Sequence, residues 1–167
     1  MKARPEYVWE KFFQEPRELI WRMWTDAALF SAWYGPNVET VVHEMRVEKG
    51  GVAHIEMKWG DSASQYQKFE YLEVQPQQKL IWLQSATDSE WNSLYTSNWP
   101  KILLATLDFH KEAGKDCLHF TWSPYGDASD MEIDNFKKAR LDMDAGWKAA
   151  LALFDEVLKN SLTVVEL

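Results

Sequence analysis

Basic residues are in the minority: 18 Lys+Arg stand against 26 Asp+Glu, a formal charge of −8 over 167 residues. A nucleic-acid partner demands a basic surface that displaces counterions from phosphates, and a polybasic membrane contact demands one as well. Neither partner is expected here. Cysteine is almost absent, and Cys117 alone excludes an internal disulfide and a cysteine-rich metal centre. No apolar run approaches the roughly 20 residues of a membrane span. The N-terminal MKARPEYVWEKFF lacks the apolar stretch of a secretory signal. Repeats, low-complexity tracts and linker-like segments are also missing. These absences predict one acidic, cytoplasmic domain over residues 1–167, a length that one core can serve.

What is abundant is aromatic surface. Ten Trp, eight Phe and six Tyr give the chain large, flat side chains to place around a core, a cavity or a partner.

The apolar pattern changes period along the chain. Residues 7–13 read as a strand, broken at Pro16, which suits the first turn of a helix. Residues 18–24 and 26–33 read as two short helices, the second capped by Asp26 and stopped by Gly35-Pro36. From Val38 to Trp122 the period is two, interrupted by turns at Gly50-Gly51, Gly60-Asp61-Ser62, Pro76-Gln77-Gln78 and Glu112-Ala113-Gly114-Lys115. On this alternation Val41, His43, Met45 and Val47 share one inward face, and Ala53, Ile55, Met57 and Trp59 the next. Ser129 and Glu132 fit a capping box. Behind them Phe136, Met143, Trp147, Ala150, Phe154 and Leu158 recur at helical spacing. One long helix over 129–160 is predicted, with Gly146 allowing it to approach the sheet closely. The fold class is α+β: six to seven antiparallel strands curved around that helix, with two short helices after the first strand. This arrangement buries both apolar surfaces at once.

Chemistry-bearing motifs are sparse. His54 and Glu56 point the same way from one strand, but their face is the outer one and no third metal ligand is evident, so no metal is predicted. Cys117 follows Asp116, whose charge raises a thiol's pKa, and no nucleophile elbow or phosphate loop occurs. His43 on the inward face is either a core histidine bonded to a neighbouring strand or a group that orients a ligand or moves a proton. Trp33, Trp59, Trp82, Trp122 and Trp147 converge on the same interior, where each indole N–H needs a partner. With His43, Met45, Phe69, Tyr71 and Met143 they are the expected wall of a small-molecule pocket, of about 300 Å³ or more if it is to take a drug-sized molecule. Residues 87–100 are polar yet carry Trp91, Tyr95 and Trp99, the pattern of a lid over one mouth of that pocket.

Several strings in order give the chain a family likeness: Glu15-Pro16-Arg17-Glu18-Leu19-Ile20-Trp21, Trp24-Thr25-Asp26, Trp33-Tyr34-Gly35-Pro36, Glu44-Met45 with Gly50-Gly51, Tyr71-Leu72-Glu73-Val74-Gln75-Pro76, and Gly146-Trp147. Over nearly its whole length it resembles the activator of heat-shock-protein ATPase homologues, within the START-like, helix-grip (SRPBCC) superfamily. The resemblance implies a hollow between sheet and helix for a small apolar or amphipathic molecule, with Tyr71 among its strand residues. Two departures stand out. Arg46 and Glu48 reverse the family's usual Asp-x-Arg order, and Phe69-Glu70 replaces a small residue before Tyr71, so that Phe69 narrows the hollow.

Two functional readings follow. One is a domain that binds a small hydrophobic or aromatic ligand without a cofactor, as a monomer or a weak homodimer joined through the apolar residues 162–167. The other is a protein-interaction module that uses the outer sheet and the 87–100 loop. Whether any reaction is catalysed stays open, with His43 as the one acid–base candidate.

Overall fold

The computed structural model describes residues 4–95 and 98–165, with side chains up to Leu162. The chain runs β1 (Tyr7–Phe13), α1 (Arg17–Thr25), α2 (Ala27–Trp33), β2 (Glu39–Met45), β3 (Val52–Lys58), β4 (Gln65–Gln75), β5 (Lys79–Thr87), β6 (Ile102–Glu112), β7 (Lys115–Tyr125), α3 (Asp130–Lys138) and α4 (Arg140–Val165). Seven strands form one antiparallel sheet in the order β1-β7-β6-β5-β4-β3-β2. Strands β2 to β7 are a meander in chain order, and β1 adds to the far side of β7. The sheet curves as a half-barrel, and α4 meets rings on its concave side: Trp147 lies 4.8 Å from Phe120, and Phe154 lies 5.1 Å from Trp33 of α2. This is the α+β helix-grip architecture that the two periods in the sequence require. Among the described residues no helix is long and apolar enough to cross a membrane.

Local chemistry sets most of the boundaries. Asp26 accepts from the Leu29 N–H at 3.0 Å and starts α2. The capping box at α3 is complete, with the Ser129 hydroxyl accepting from Glu132 N–H and the Glu132 carboxylate accepting from Ser129 N–H, each at 3.1 Å. The single helix expected over 129–160 is instead two. At Ala139 ψ is 1°, and its N–H reaches the carbonyls of both Asn135 and Phe136, so one tightened turn re-aims the chain. The apolar tail at 162–167 falls mostly outside the described side chains.

Two bulges change which residues face inward. In β2 the pairing runs Thr40↔Met57, Val41↔Glu56, Val42↔Ile55 and then Glu44↔His54, which leaves His43 as the extra residue. Even-numbered residues face inward before the bulge; Met45 does so after it. The same happens at Leu72 of β4, so Tyr71 and Val74 both face the core while Leu72 is exposed.

The turn between β2 and β3 depends on close backbone approach. Gly50 N–H donates to the Tyr71 carbonyl, and Tyr71 N–H donates to the Gly51 carbonyl. A Cβ on Gly51 would lie 2.0 Å from the Arg46 carbonyl oxygen, which no movement of a side chain relieves. Gly51→Ala is therefore expected to destabilise the protein by about 2–3 kcal/mol in urea unfolding, the scale of an overpacked site. A loss under about 0.5 kcal/mol would show that this turn has room to shift.

Candidate functional site

The concave side of the sheet is largely filled by side chains. Trp24, Trp33, Trp82, Tyr71, Phe30, Phe69, Phe120 and Phe154 are all but fully buried. Trp82 stacks on Phe69 at 5.2 Å, and Phe69 meets Phe30 and Tyr34 edge-on. Phe69 occupies space deep in the interior, and no cleft between α4 and the α2–β2 connection reaches the 300 Å³ expected from the sequence. A cleft of about 190 Å³ lies between α4 and the α2–β2 connection, and a wider, open groove of about 410 Å³ runs on the other side of α4 beside Tyr7, Trp9 and Trp147. The walls of the cleft are Trp122, Met143, Trp147 and Ala150 on one side and Tyr34, Gly35, Pro36, Met57 and Gln67 on the other.

Gly146 borders the same cleft, and a Cβ built there would have nothing within 4 Å. The expectation that Gly146 lets α4 approach the sheet closely is thus incorrect. The missing side chain leaves open space beside Trp147 instead.

A buried polar chain ends at the cleft. Trp82 Nε1–H donates to Gln84 Oε1 at 3.3 Å, and Gln84 Nε2 donates to Gln67 Oε1 at 3.2 Å. Tyr34 Oη–H also donates to Gln67 Oε1, at 2.8 Å. Burial pushes the Tyr34 phenol well above its ordinary pKa, so it keeps the proton it donates. With Oε1 taken by two donors, the NH2 of Gln67 is the polar group that this side chain has left for an occupant. Gln67 also borders a second hollow of about 130 Å³, closed by Leu94, Trp99 and Leu103.

The indoles divide into two sets. Trp33 Nε1–H donates to the Met23 carbonyl at 2.8 Å and Trp82 to Gln84, so both are satisfied core residues. Trp9, Trp24, Trp122 and Trp147 have buried Nε1 atoms without a hydrogen-bond partner among the described residues. These four lie in one aromatic group, in which Trp147 is 5.2 Å from Trp122, 5.3 Å from Trp9 and 6.3 Å from Trp24.

Several residues expected in the wall lie elsewhere. His43 is on the convex face with its side chain 45% exposed, because the bulge removes it from the inward series; its Nε2 lies 2.8 Å from Glu56 Oε1. Trp59 follows the last residue of β3, enters a turn and is 44% exposed. Met45 packs at the edge of the core, and Trp33, Phe69, Tyr71 and Trp82 lie deeper than the cleft. Trp122, Met143 and Trp147 are the predicted residues that the structure brings together there, joined by Tyr34, Met57 and Gln67. The string Trp33-Tyr34-Gly35-Pro36 marked Tyr34 as a helix end, whereas Gln67 carried no signal as one polar residue in a strand.

The 87–100 segment does not act as one flap. Trp91 lies on the convex face, stacked on His54 at 4.4 Å and 6° and edge-on to Tyr66. Tyr95 reaches α3, where its hydroxyl donates to Glu132 at 3.0 Å. Trp99 packs against Phe136 and closes the second hollow. Cys117 faces the convex side, opposite in phase to Leu118 and Phe120, and is fully buried.

The family model of the Activator of Hsp90 ATPase homolog 1-like proteins matches residues 14–159. The chain belongs to this family. Among solved structures it is similar to a Mycobacterium smegmatis protein, with 17% identity, a TM-score of 0.74, and coverage of 92% of this chain and 90% of that one. It is similar also to a Staphylococcus epidermidis protein, with 20% identity, a TM-score of 0.72, and coverage of 96% and 93%. An Arthrobacter aurescens protein aligns with 16% identity, a TM-score of 0.74, and coverage of 93% and 86%. At these identities the likeness is one of fold. A comparison with curated proteins gave no match. In this member of the Activator of Hsp90 ATPase homolog 1-like family, the reversed Arg46 and Glu48 still meet, at 3.6 Å, and Arg46 also bonds Glu44 at 2.7 Å.

On the convex face the hydrogen bonds of Ser64, at 2.6 Å, and of His43 hold the Glu56 carboxyl below the ordinary glutamate value. A carboxyl with a depressed pKa in the folded state stabilises above the unfolded value and loses that contribution as pH falls through the folded one. Glu56→Gln should therefore flatten the decline of Tm on acidification below about pH 4.3. Parallel Tm–pH curves for the two proteins would mean that the pair contributes nothing to stability.

Proposed function

We propose that this protein binds a small apolar molecule, most simply a single-ring aromatic, in the cleft between α4 and the α2–β2 connection. The observation that carries the reading is a gap of about 190 Å³ with Trp122, Trp147, Met143 and Met57 in its wall and Gln67 as the polar group. An apolar cavity of about 150 Å³ takes up benzene, whereas drug-sized ligands occupy about 300 Å³ or more, so volume selects a small occupant. Methionine and indole surfaces accommodate flat rings through soft contacts, and the Gln67 amide can orient a carbonyl or hydroxyl on the ring. Membership of a family whose resemblance implied such a hollow supports the same reading. The ligand needs no cofactor, and His43, across the sheet from the cleft, takes no part in binding it.

A thermal-shift screen of substituted benzenes and small acyl compounds tests this. A compound that binds only the native state adds about 2.7 kcal/mol of stability at a hundredfold excess over Kd. Gly146→Leu should fill the cleft without harm, because the helix gains about 0.5–1 kcal/mol of propensity over glycine. Stabilising compounds should lose their effect in Gly146→Leu and keep it in His43→Leu. Equal shifts in wild type and Gly146→Leu would place binding elsewhere, and a silent screen would favour the protein-interaction reading.

A further inference from the structure

We propose that the convex face of the sheet carries a divalent transition-metal site formed by His110, Glu112 and Cys117. One ligand atom from each lies within 4.8 Å of the others, the only such group of three among the described residues. The site is remote in character from the cleft, which uses concave residues of the same sheet.

The backbone fixes this arrangement. Strands β6 and β7 join through Ala113 and Gly114, with φ of 52° and 78°, the two left-handed residues of a tight hairpin. That turn sets the register, placing His110 directly opposite Cys117 and Glu112 opposite Lys115. Period two then puts Glu112 on the face of His110. All three positions lie on paired strands, so little ordering is needed when a cation arrives.

The donor set selects the cation. Calcium and magnesium take oxygen ligands, and clusters or monovalent copper favour sites richer in thiolate. One thiolate, one imidazole and one carboxylate suit zinc or cobalt(II), with bonds of about 2.0–2.3 Å. Tetrahedral ligands at that range sit about 3.5 Å apart, so small side-chain rotations bring the three into place. As the sulfur–metal bond forms, the Cys117 proton leaves to solvent, and the thiolate and carboxylate together neutralise the dication. A second layer stands ready: Glu10 Oε2 is 4.0 Å from Cys117 Sγ, while its Oε1 lies 3.1 Å from His119 Nδ1. The His119 ring is 5.9 Å from that of His110. Either can complete or orient the coordination.

Titration of the purified protein with cobalt(II) alone tests the site. The expected result is one equivalent bound, with a thiolate-to-cobalt charge-transfer band in the near ultraviolet, bleached by an equivalent of zinc. Cys117→Ser should abolish the band. His110→Ala and Glu112→Gln, at less buried positions, should each weaken binding about tenfold or more while circular dichroism stays unchanged. His54→Ala, in the separate His43–Glu56–His54–Glu44 group, should bind as wild type does. Absence of the charge-transfer band in wild type would overturn the proposal. So would unchanged affinity in His110→Ala and Glu112→Gln, or loss of binding in His54→Ala.

Discussion

Trp147, in the first third of α4, meets Phe120 of β7 at 4.8 Å, Trp122 at 5.2 Å, Trp9 of β1 at 5.3 Å and Trp24 of α1 at 6.3 Å. One indole thus ties the C-terminal helix to the N-terminal strand, to β7 beside that strand and to the first helix. Burying an aromatic side chain of about 200 Å² is worth about 5 kcal/mol, and favourable ring pairs add about 0.5–1.5 kcal/mol each. The opposing term is the indole N–H, buried without an acceptor among the described residues in Trp147 and in three of its neighbours. A buried donor left unpaired costs about 1–3 kcal/mol, so burial wins.

The same grip decides where space is left. With Trp24, Trp33, Trp82, Phe69 and Phe154 filling the middle of the concave side, open space is left at its margins. One such margin lies beside Gly146, where α4 presents no side chain and the Gln67–Gln84–Tyr34 chain reaches the surface of the core. The polar end of this cleft is a buried amide network rather than a histidine.

What could be read from the sequence was local. Ser129 with Glu132, Asp26 ahead of Leu29, and the glycine and proline turns each carry their own chemistry within four residues, and each appears where the pattern put it. The face of His43 was not legible, because a bulge is a property of two strands: Val42 and Glu44 of β2 keep step with β3 only by leaving His43 out. The break at Ala139 has no glycine or proline to announce it. Trp59 continues the alternation of β3 on paper, but the strand ends one residue earlier and the ring turns outward. Trp122, Met143 and Trp147 were legible as cleft residues because strand and helix phase alone place them. Gln67 and the Cys117–His110 pairing depend on register between strands, which composition does not encode.

One indole on α4 thus holds the helix to the sheet. Urea unfolding of Trp147→Ala tests this directly. A grip of this kind requires a loss of about 3–5 kcal/mol with an unchanged dependence on urea concentration. A loss below about 1 kcal/mol would mean that the helix is held elsewhere and that Trp147 is peripheral to the fold.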